Sequence, residues 1–468
     1  MVVVAALTVL DLIALAGKAL ILLLLLCSVA SLFSLYLFLS SLGQPRKRLR
    51  TWAAILLPPL FVALLLSFLT MVFPVVLDMT LNPVYGLAPH GHADRPNGAA
   101  QPSAAAQSLH SRLWIADMHS DTLLWPKRDI LERHSYSHVD LPRLQEGNVA
   151  LQAFTIVTKV PAGMNFESNP EPSLLKDNLL FKTIFEGWGL DAINSRPART
   201  LFQIHNLQDA VRRSNGTLSL IRFREDLSSF IQHRQEYLQK SDDIKNKPVA
   251  AMLGIEGLHA LDGNFTNVDV FFQEGVRMMG MTHFFDNDLG GSAHGVEKGG
   301  ITEFGKRVFE RMEELGILPD VAHASERLTE DIINLALASP KRRPVVSSHT
   351  GVRGVCDNVR NLKDEHIKGI ARTGGLLSIA YFAPAVCGDD LLQSIVDSIK
   401  YVAKLVGVQH VALGSDFDGS VGTPFDTTGL IYLTDALLRD GTFSEHEIEL
   451  IMGGNVRNLL LQHLPPSV

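Results

Sequence analysis

The segment Trp114-Ile115-Ala116-Asp117-Met118-His119-Ser120-Asp121 places a histidine and an aspartate two residues apart at the end of an apolar run. On a strand, residues i and i+2 face the same side, so the His119 imidazole and the Asp121 carboxylate can converge on one point. That is half of a metal site, although the tripeptide alone also suits an ordinary solvated strand end. Further apolar runs downstream end in Glu256, His283, His323, His349 and Asp416. Any one histidine at a strand end is more often a hydrogen-bonded structural residue than a ligand. It is the recurrence over seven groups that points to metal. An all N/O donor set without thiolate suits zinc in a hydrolytic site. Seven groups exceed the needs of one ion. Two ions bridged by a carboxylate, with a hydroxide between them as nucleophile, fit better.

Residues so far apart in sequence need a scaffold that brings strand ends together. Eight apolar, β-branched runs alternate with helical stretches: Trp114–Met118, Ala150–Val157, Val249–Ile255, Gly275–Thr282, Gly316–Ala322, Pro344–Ser348, Gly375–Ala380 and Val411–Ser415. Helical spacing appears between them in Thr302–Leu315, Glu326–Ala338, Asp364–Thr373 and Asp389–Leu405. The alternation predicts a parallel sheet closed into a (β/α)8 barrel of the TIM type, whose C-terminal rim gathers the active-site residues. A final helix over Ser444–Leu461 is expected to cap it. The long segment Pro161–Lys247, with helical periodicity in Phe223–Lys240, reads as helical decoration at the substrate entrance.

The front of the chain has a different character. Ala19–Gly43 and Trp52–Leu77 are charge-free, and each is long enough to cross roughly 30 Å of hydrocarbon. The expected organisation is a membrane anchor over 1–81, with one or two crossings, then a flexible linker over 82–111 and the barrel over 112–468. Four basic residues in Gln44–Arg50 put that loop on the cytoplasmic side and the barrel on the exoplasmic side. Residues 1–110 hold six of the 42 Lys/Arg and three of the 49 Asp/Glu, so the remainder is net acidic and a poor partner for nucleic acid. Sequons at Asn215 and Asn264 suit glycosylation in a secretory pathway. The two soluble-part cysteines, Cys356 and Cys387, permit one disulfide or stand as two separate buried thiols.

Several motifs together resemble the membrane dipeptidases, also called renal dipeptidases, which are zinc peptidases of the amidohydrolase-like barrel type. The resemblance is carried by His119-Ser120-Asp121, Gly254-Ile255-Glu256-Gly257, Met281-Thr282-His283, Asp320-Val321-Ala322-His323, Ser347-Ser348-His349-Thr350, Arg360-Asn361 and Gly414-Ser415-Asp416-Phe417-Asp418-Gly419. It implies two zinc ions per chain, one held by His119 and Asp121, the other by His323 and His349, with Glu256 bridging both. It further implies that His283 contacts the scissile carbonyl, that Arg360 holds the substrate carboxylate and that Asp416 is the acid/base. Asp418, two residues on, would face the same way on a continued strand, so the choice of Asp416 rests on the resemblance. Cys356 and Cys387 match cysteines that are paired in animal members.

The expected function is therefore a membrane-anchored di-zinc dipeptidase acting on free dipeptides, embedded in lipid through its N-terminal helices. Other cysteines of the animal members have no counterpart, including one that links subunits, which leaves only a non-covalent homodimer open. The C-terminus lacks the apolar tail of a glycolipid anchor. The competing readings are another metal-dependent amidohydrolase, acting on a cyclic amide or lactam, and a catalytically silent membrane-bound barrel.

Overall fold

Eight parallel strands alternate with helices and curl until the last in sequence pairs with the first. In chain order the strands are β1 (Ile115–Asp117), β2 (Val149–Ile156), β3 (Leu218–Leu220), β4 (Val249–Glu256), β5 (Val276–Gly280), β6 (Leu318–Asp320), β7 (Ser347–Thr350), β8 (Leu377–Ile379) and β9 (Val411–Leu413). The computed structural model describes residues 60–65, 67–71, 73–83, 101–241 and 246–467. Neighbours in the sheet run β6-β5-β4-β2-β1-β9-β8-β7. A parallel bridge between Asp320 and Val346 joins the two ends and closes the barrel. The expected (β/α)8 architecture is present, and each of the eight expected runs overlaps a barrel strand. β3, unexpected in the Pro161–Lys247 segment, pairs with β4 outside the ring. The rest of that segment is largely helical, with helices Arg196–Arg213 and Arg224–Lys240.

Every residue of β2 and β4 is buried, as expected for strands covered on both faces. Successive side chains go to two different cores. Ala116, Met252, Met278, Leu318, Val346, Leu376 and Ala412 form one apolar cluster, drawn from strands all round the ring and so filling its interior. Ile115, Ala251, Leu253, Met279 and Leu377 join helix residues such as Leu207, Val308, Ile332 and Ile399 in the other.

Two expectations about helices need correction. Residues 101–111 are not a plain tether: Ala104–Arg112 form a helix capped by Ser103, whose Oγ accepts from Ala106 N at 3.1 Å. Ala106 and Leu109 are buried, so this helix belongs to the barrel. The final helix is not continuous either. Helices Glu445–Glu449 and Asn455–His463 flank a wide turn over Leu450–Gly454. Gly453 lies so close to β1 that a Cβ would sit 2.1 Å from Trp114 O; the helix breaks where only glycine fits.

The chain divides into two compact units, residues 1–78 with 185–187 and residues 79–184 with 188–468. Leu60–Leu81 is one helix of 22 residues, long and apolar enough to cross a membrane. It overlaps the expected span Trp52–Leu77. The expected span Ala19–Gly43 and the basic loop 44–50 lie outside the described residues.

Candidate metal centre

His119 and Asp121 stand just beyond β1, in a stretch still tied to the strand end after β9 by the Ser120–Phe417 bridge. That bridge preserves the alternation, and His119 Nε2 comes 3.7 Å from Asp121 Oδ1. Glu256 ends β4 and reaches both sides of the rim. Its Oε2 is 3.7 Å from His119 Nε2 and 3.5 Å from His283 Nε2, and its Oε1 is 2.9 Å from His323 Nε2 and 3.2 Å from His349 Nε2. Asp416 Oδ1 is 3.8 Å from His119 Nε2. The expected rim residues thus gather around Glu256, and all are buried. Arg360 is buried beside them: Nη2 donates to His349 O at 2.9 Å, and Nε has no hydrogen-bond partner among the described residues.

Three ligand sets emerge: His119 with Asp121 and Glu256, Glu256 with His283 and His323, and His119 with His349 and Asp416. Donor atoms 3 to 4 Å apart suit a shared ion, since each would then be about 2 Å from it. Electrostatics support the same fit. Burial holds the imidazoles of His283, His323 and His349 well below the ordinary histidine range, in the neutral form that offers a lone pair. Burial, followed by the charge of Asp121, pushes Glu256 up. Asp416 is also raised well above the usual range by burial, opposed by His119 and reinforced by Asp121 and Glu256. Three crowded carboxyls in a dry pocket call for a cation.

Sequence reasoning missed the residues that aim these ligands. Thr155 Oγ1 donates to Asp121 Oδ1 at 2.7 Å, and Ser348 Oγ lies 3.0 Å from both His119 Nδ1 and His349 Nδ1. Below the rim, Asp117 accepts from Ser415 N at 2.8 Å, Ser415 Oγ at 2.6 Å and Gln152 Nε2 at 3.1 Å. Asp320 Oδ1 accepts from Ala322 N and Ser348 N, both at 2.9 Å. Asp117 continues the period-two series to His119 and Asp121, a signal that was present in the sequence. His294 was also missed. Its Nδ1 is 2.8 Å from Phe166 O and its ring centroid 5.2 Å from that of His323.

Asp416 and Asp418 part company. Both have positive φ, 62° and 61°, so no strand continues through them. Asp418 turns away from the cluster to accept from Thr122 Oγ1 at 2.8 Å and Arg128 Nη1 at 3.0 Å. Gly419 packs against the first of them, where a Cβ would fall 2.2 Å from Asp416 Oδ1 and 3.0 Å from Asp121 Oδ2. Elsewhere, Cys356 and Cys387 form a disulfide with Cα atoms 5.4 Å apart, and Asn215 and Asn264 are exposed.

The comparisons with known proteins follow the same chemistry. The chain is 24% identical over 383 residues to dipeptidase aclJ of Aspergillus oryzae, covering 77% of this chain and 81% of that one. It is 27% identical over 268 residues to mouse dipeptidase 3, covering 54% and 52%. In fold it is similar to the crystal structure of a metallopeptidase from Rhodobacter sphaeroides liganded with a phosphinate mimic of the dipeptide L-Ala-D-Ala. That match has a TM-score of 0.59 and 21% identity, covering 75% of this chain and 99% of that one. The profile of the membrane dipeptidases, peptidase family M19, matches residues 103–462. With more than half its length so matched, the chain belongs to the membrane dipeptidase family and is a metallo-dipeptidase.

Proposed function

We propose that the protein is a membrane-anchored dipeptidase that uses two zinc ions, bridged by Glu256, to hydrolyse free dipeptides. The observation that carries this reading is the position of Glu256, whose two oxygens each face a different group of histidines. His119 and Asp121 would hold one ion, His323 and His349 the other. When bound, such a pair lowers the pKa of water toward about 7 and supplies a nucleophile at neutral pH.

The remaining roles belong to the chain. His283, kept neutral by burial, donates one N–H to the carbonyl oxygen as it gains charge. Asp416 takes the proton from the attacking water and hands it to the leaving amine. The Arg360 guanidinium grips the C-terminal carboxylate, which limits cleavage to a bond one residue from the chain end. The aromatic and histidine rings packed round the cluster, including Phe284 and His294, keep bulk water out.

The apolar helix Leu60–Leu81 supports attachment to lipid. The Cys356–Cys387 disulfide and the exposed Asn215 and Asn264 support an exoplasmic barrel carrying glycans.

The test uses the full chain in detergent micelles, with Leu-Gly, Gly-D-Ala and amidated Leu-Gly as substrates, with and without chelator. Cleavage of both free dipeptides, abolished by chelator and restored by zinc, is expected, with the amide spared. Equal cleavage of the amide would turn the reading toward a general amidohydrolase. Full activity after the metal has been stripped would end the metal-dependent one.

A further inference from the structure

The loop that carries Asp416 is held from outside the barrel. Asp416, Asp418 and Ser420 have φ of 62°, 61° and 61°, three left-handed non-glycine residues in five positions. Such a conformation persists only where surrounding contacts enforce it. Part of the restraint comes from the barrel itself, through Thr122 and Arg128 on the Asp418 carboxylate. Further restraint comes from two residues that directly follow the apolar helix in sequence. Asn82 Oδ1 accepts from Ser420 N at 2.8 Å, and Pro83 O accepts from Thr423 N at 3.1 Å. His138 links the same segment to the middle of the loop: Asp418 N donates to His138 Nδ1 at 3.0 Å, and His138 Nε2 donates to Asn82 O at 3.0 Å. An amide nitrogen can only donate and a carbonyl can only accept, so this imidazole is fixed as the neutral Nε2–H tautomer. Asn82 and His138 are both buried.

We infer that Asn82 is a positioning residue for Asp416, so that the segment leaving the N-terminal helix completes the catalytic loop. The inference rests on the reading of Asp416 as acid/base. Asn82 lies 21 residues before the start of the family match at residue 103, so this restraint is an addition to the shared barrel. It makes the segment that follows the helix part of the catalytic unit rather than a passive leash.

The experiment is steady-state kinetics on Leu-Gly with the full chain in detergent micelles, comparing wild type, Asn82→Ala, Asn82→Asp and Asp416→Asn. Metal content and thermal midpoint are measured on each. A misaimed proton-transfer group lowers turnover without weakening binding. Asn82→Ala should therefore lose about tenfold in kcat, with KM within about twofold, metal content unchanged and the thermal midpoint lowered by no more than a few degrees. Asn82→Asp, which keeps an oxygen acceptor at the same place, should recover most of the loss. A wild-type kcat in Asn82→Ala overturns the inference. So does a loss that travels with loss of metal or with unfolding at the assay temperature, or one that Asn82→Asp does not restore. Asp416→Asn separates the two ideas: activity retained there would remove the acid/base role itself, whatever Asn82 does.

Discussion

His323 and His349 turn their Nε2 atoms to within 3.0 Å of one another. Glu256 Oε1 stands 2.9 and 3.2 Å from the same two atoms. Burial holds both rings in the neutral form, and Ser348 Oγ occupies the other nitrogen of His349 at 3.0 Å. As neutral rings, only one of the two can donate an Nε2–H to the other, whereas a cation between them takes a lone pair from each. Replacing His349 with alanine should remove at least one metal equivalent per chain. It should also lower kcat/KM by more than the 10- to 100-fold typical of outer residues. Elemental analysis of the purified variant checks the first effect and dipeptide hydrolysis the second; full metal content at wild-type rate would remove His349 from the ligand set.

Arg360 has a different signature because it would touch substrate rather than metal. Its buried Nε has no hydrogen-bond partner among the described residues, while Nη2 is committed to His349 O. A charge-assisted bond to a free carboxylate is worth about 1.5–3 kcal/mol, or roughly 10- to 100-fold. Arg360→Ala should raise KM for Leu-Gly by that factor and erase the preference over amidated Leu-Gly, with metal content intact. An undiminished preference for the free acid would assign carboxylate recognition elsewhere.

The barrel and the rim cluster were legible because they rest on simple patterns. Most strands fall within apolar runs, with β7 (Ser347-Ser348-His349-Thr350) the polar exception, and the candidate ligands stand near or just past strand ends, as with Glu256 closing Val249–Glu256. β3 was not legible, since Leu218-Ser219-Leu220 is three residues long and follows the turn-forming Asn215-Gly216. The helix Ala104–Arg112 was hidden by its composition, because small and polar residues beside a Pro- and Gly-rich stretch resemble a linker. Only the spacing of Ala106, Leu109 and Leu113, all buried, betrays its packed face. Asp117 and Asp320 were overlooked for a related reason: an acid inside an apolar run carries no sign of the backbone amides it will serve.

Asp320 shows what such a residue contributes. Its Oδ1 accepts the amide protons of Ala322 and Ser348, both at 2.9 Å, and so ties the residue before His323 to the residue before His349. His323 itself has φ of 62°, a conformation the tie helps to hold. Asp320→Ala should destabilise the barrel by about 3 kcal/mol, from two charge-assisted bonds lost and two amides stranded. It should also weaken metal affinity roughly 10- to 100-fold. Competition with a calibrated chelator reads the affinity and thermal melting the stability; unchanged affinity would make Asp320 a purely structural tie.

His110 predicts how the fold answers to acid. It lies on the helix Ala104–Arg112, buried, with Nε2 3.2 Å from Gly147 O and Nδ1 2.8 Å from Thr434 Oγ1. The carbonyl can only accept, so Nε2 carries the proton and Nδ1 receives the threonine hydroxyl, which satisfies the neutral ring on both sides. Burial lowers its pKa from 6.5 to about 4, opposed by the Gly147 carbonyl and reinforced by Lys247. The unfolded chain therefore binds this proton near pH 6.5, while the folded chain resists it until about pH 4. Stability is fully present above pH 6.5 and falls as pH drops between those values, by roughly 3 kcal/mol in all. Histidines of the metal cluster add their own pH dependence, so the informative quantity is a difference between proteins. With zinc present throughout, the drop in thermal midpoint from pH 7.5 to pH 5.0 should be smaller in His110→Gln than in wild type by a few degrees. An identical drop in the two proteins would mean that His110 exchanges its proton as freely in the folded chain as in the unfolded one.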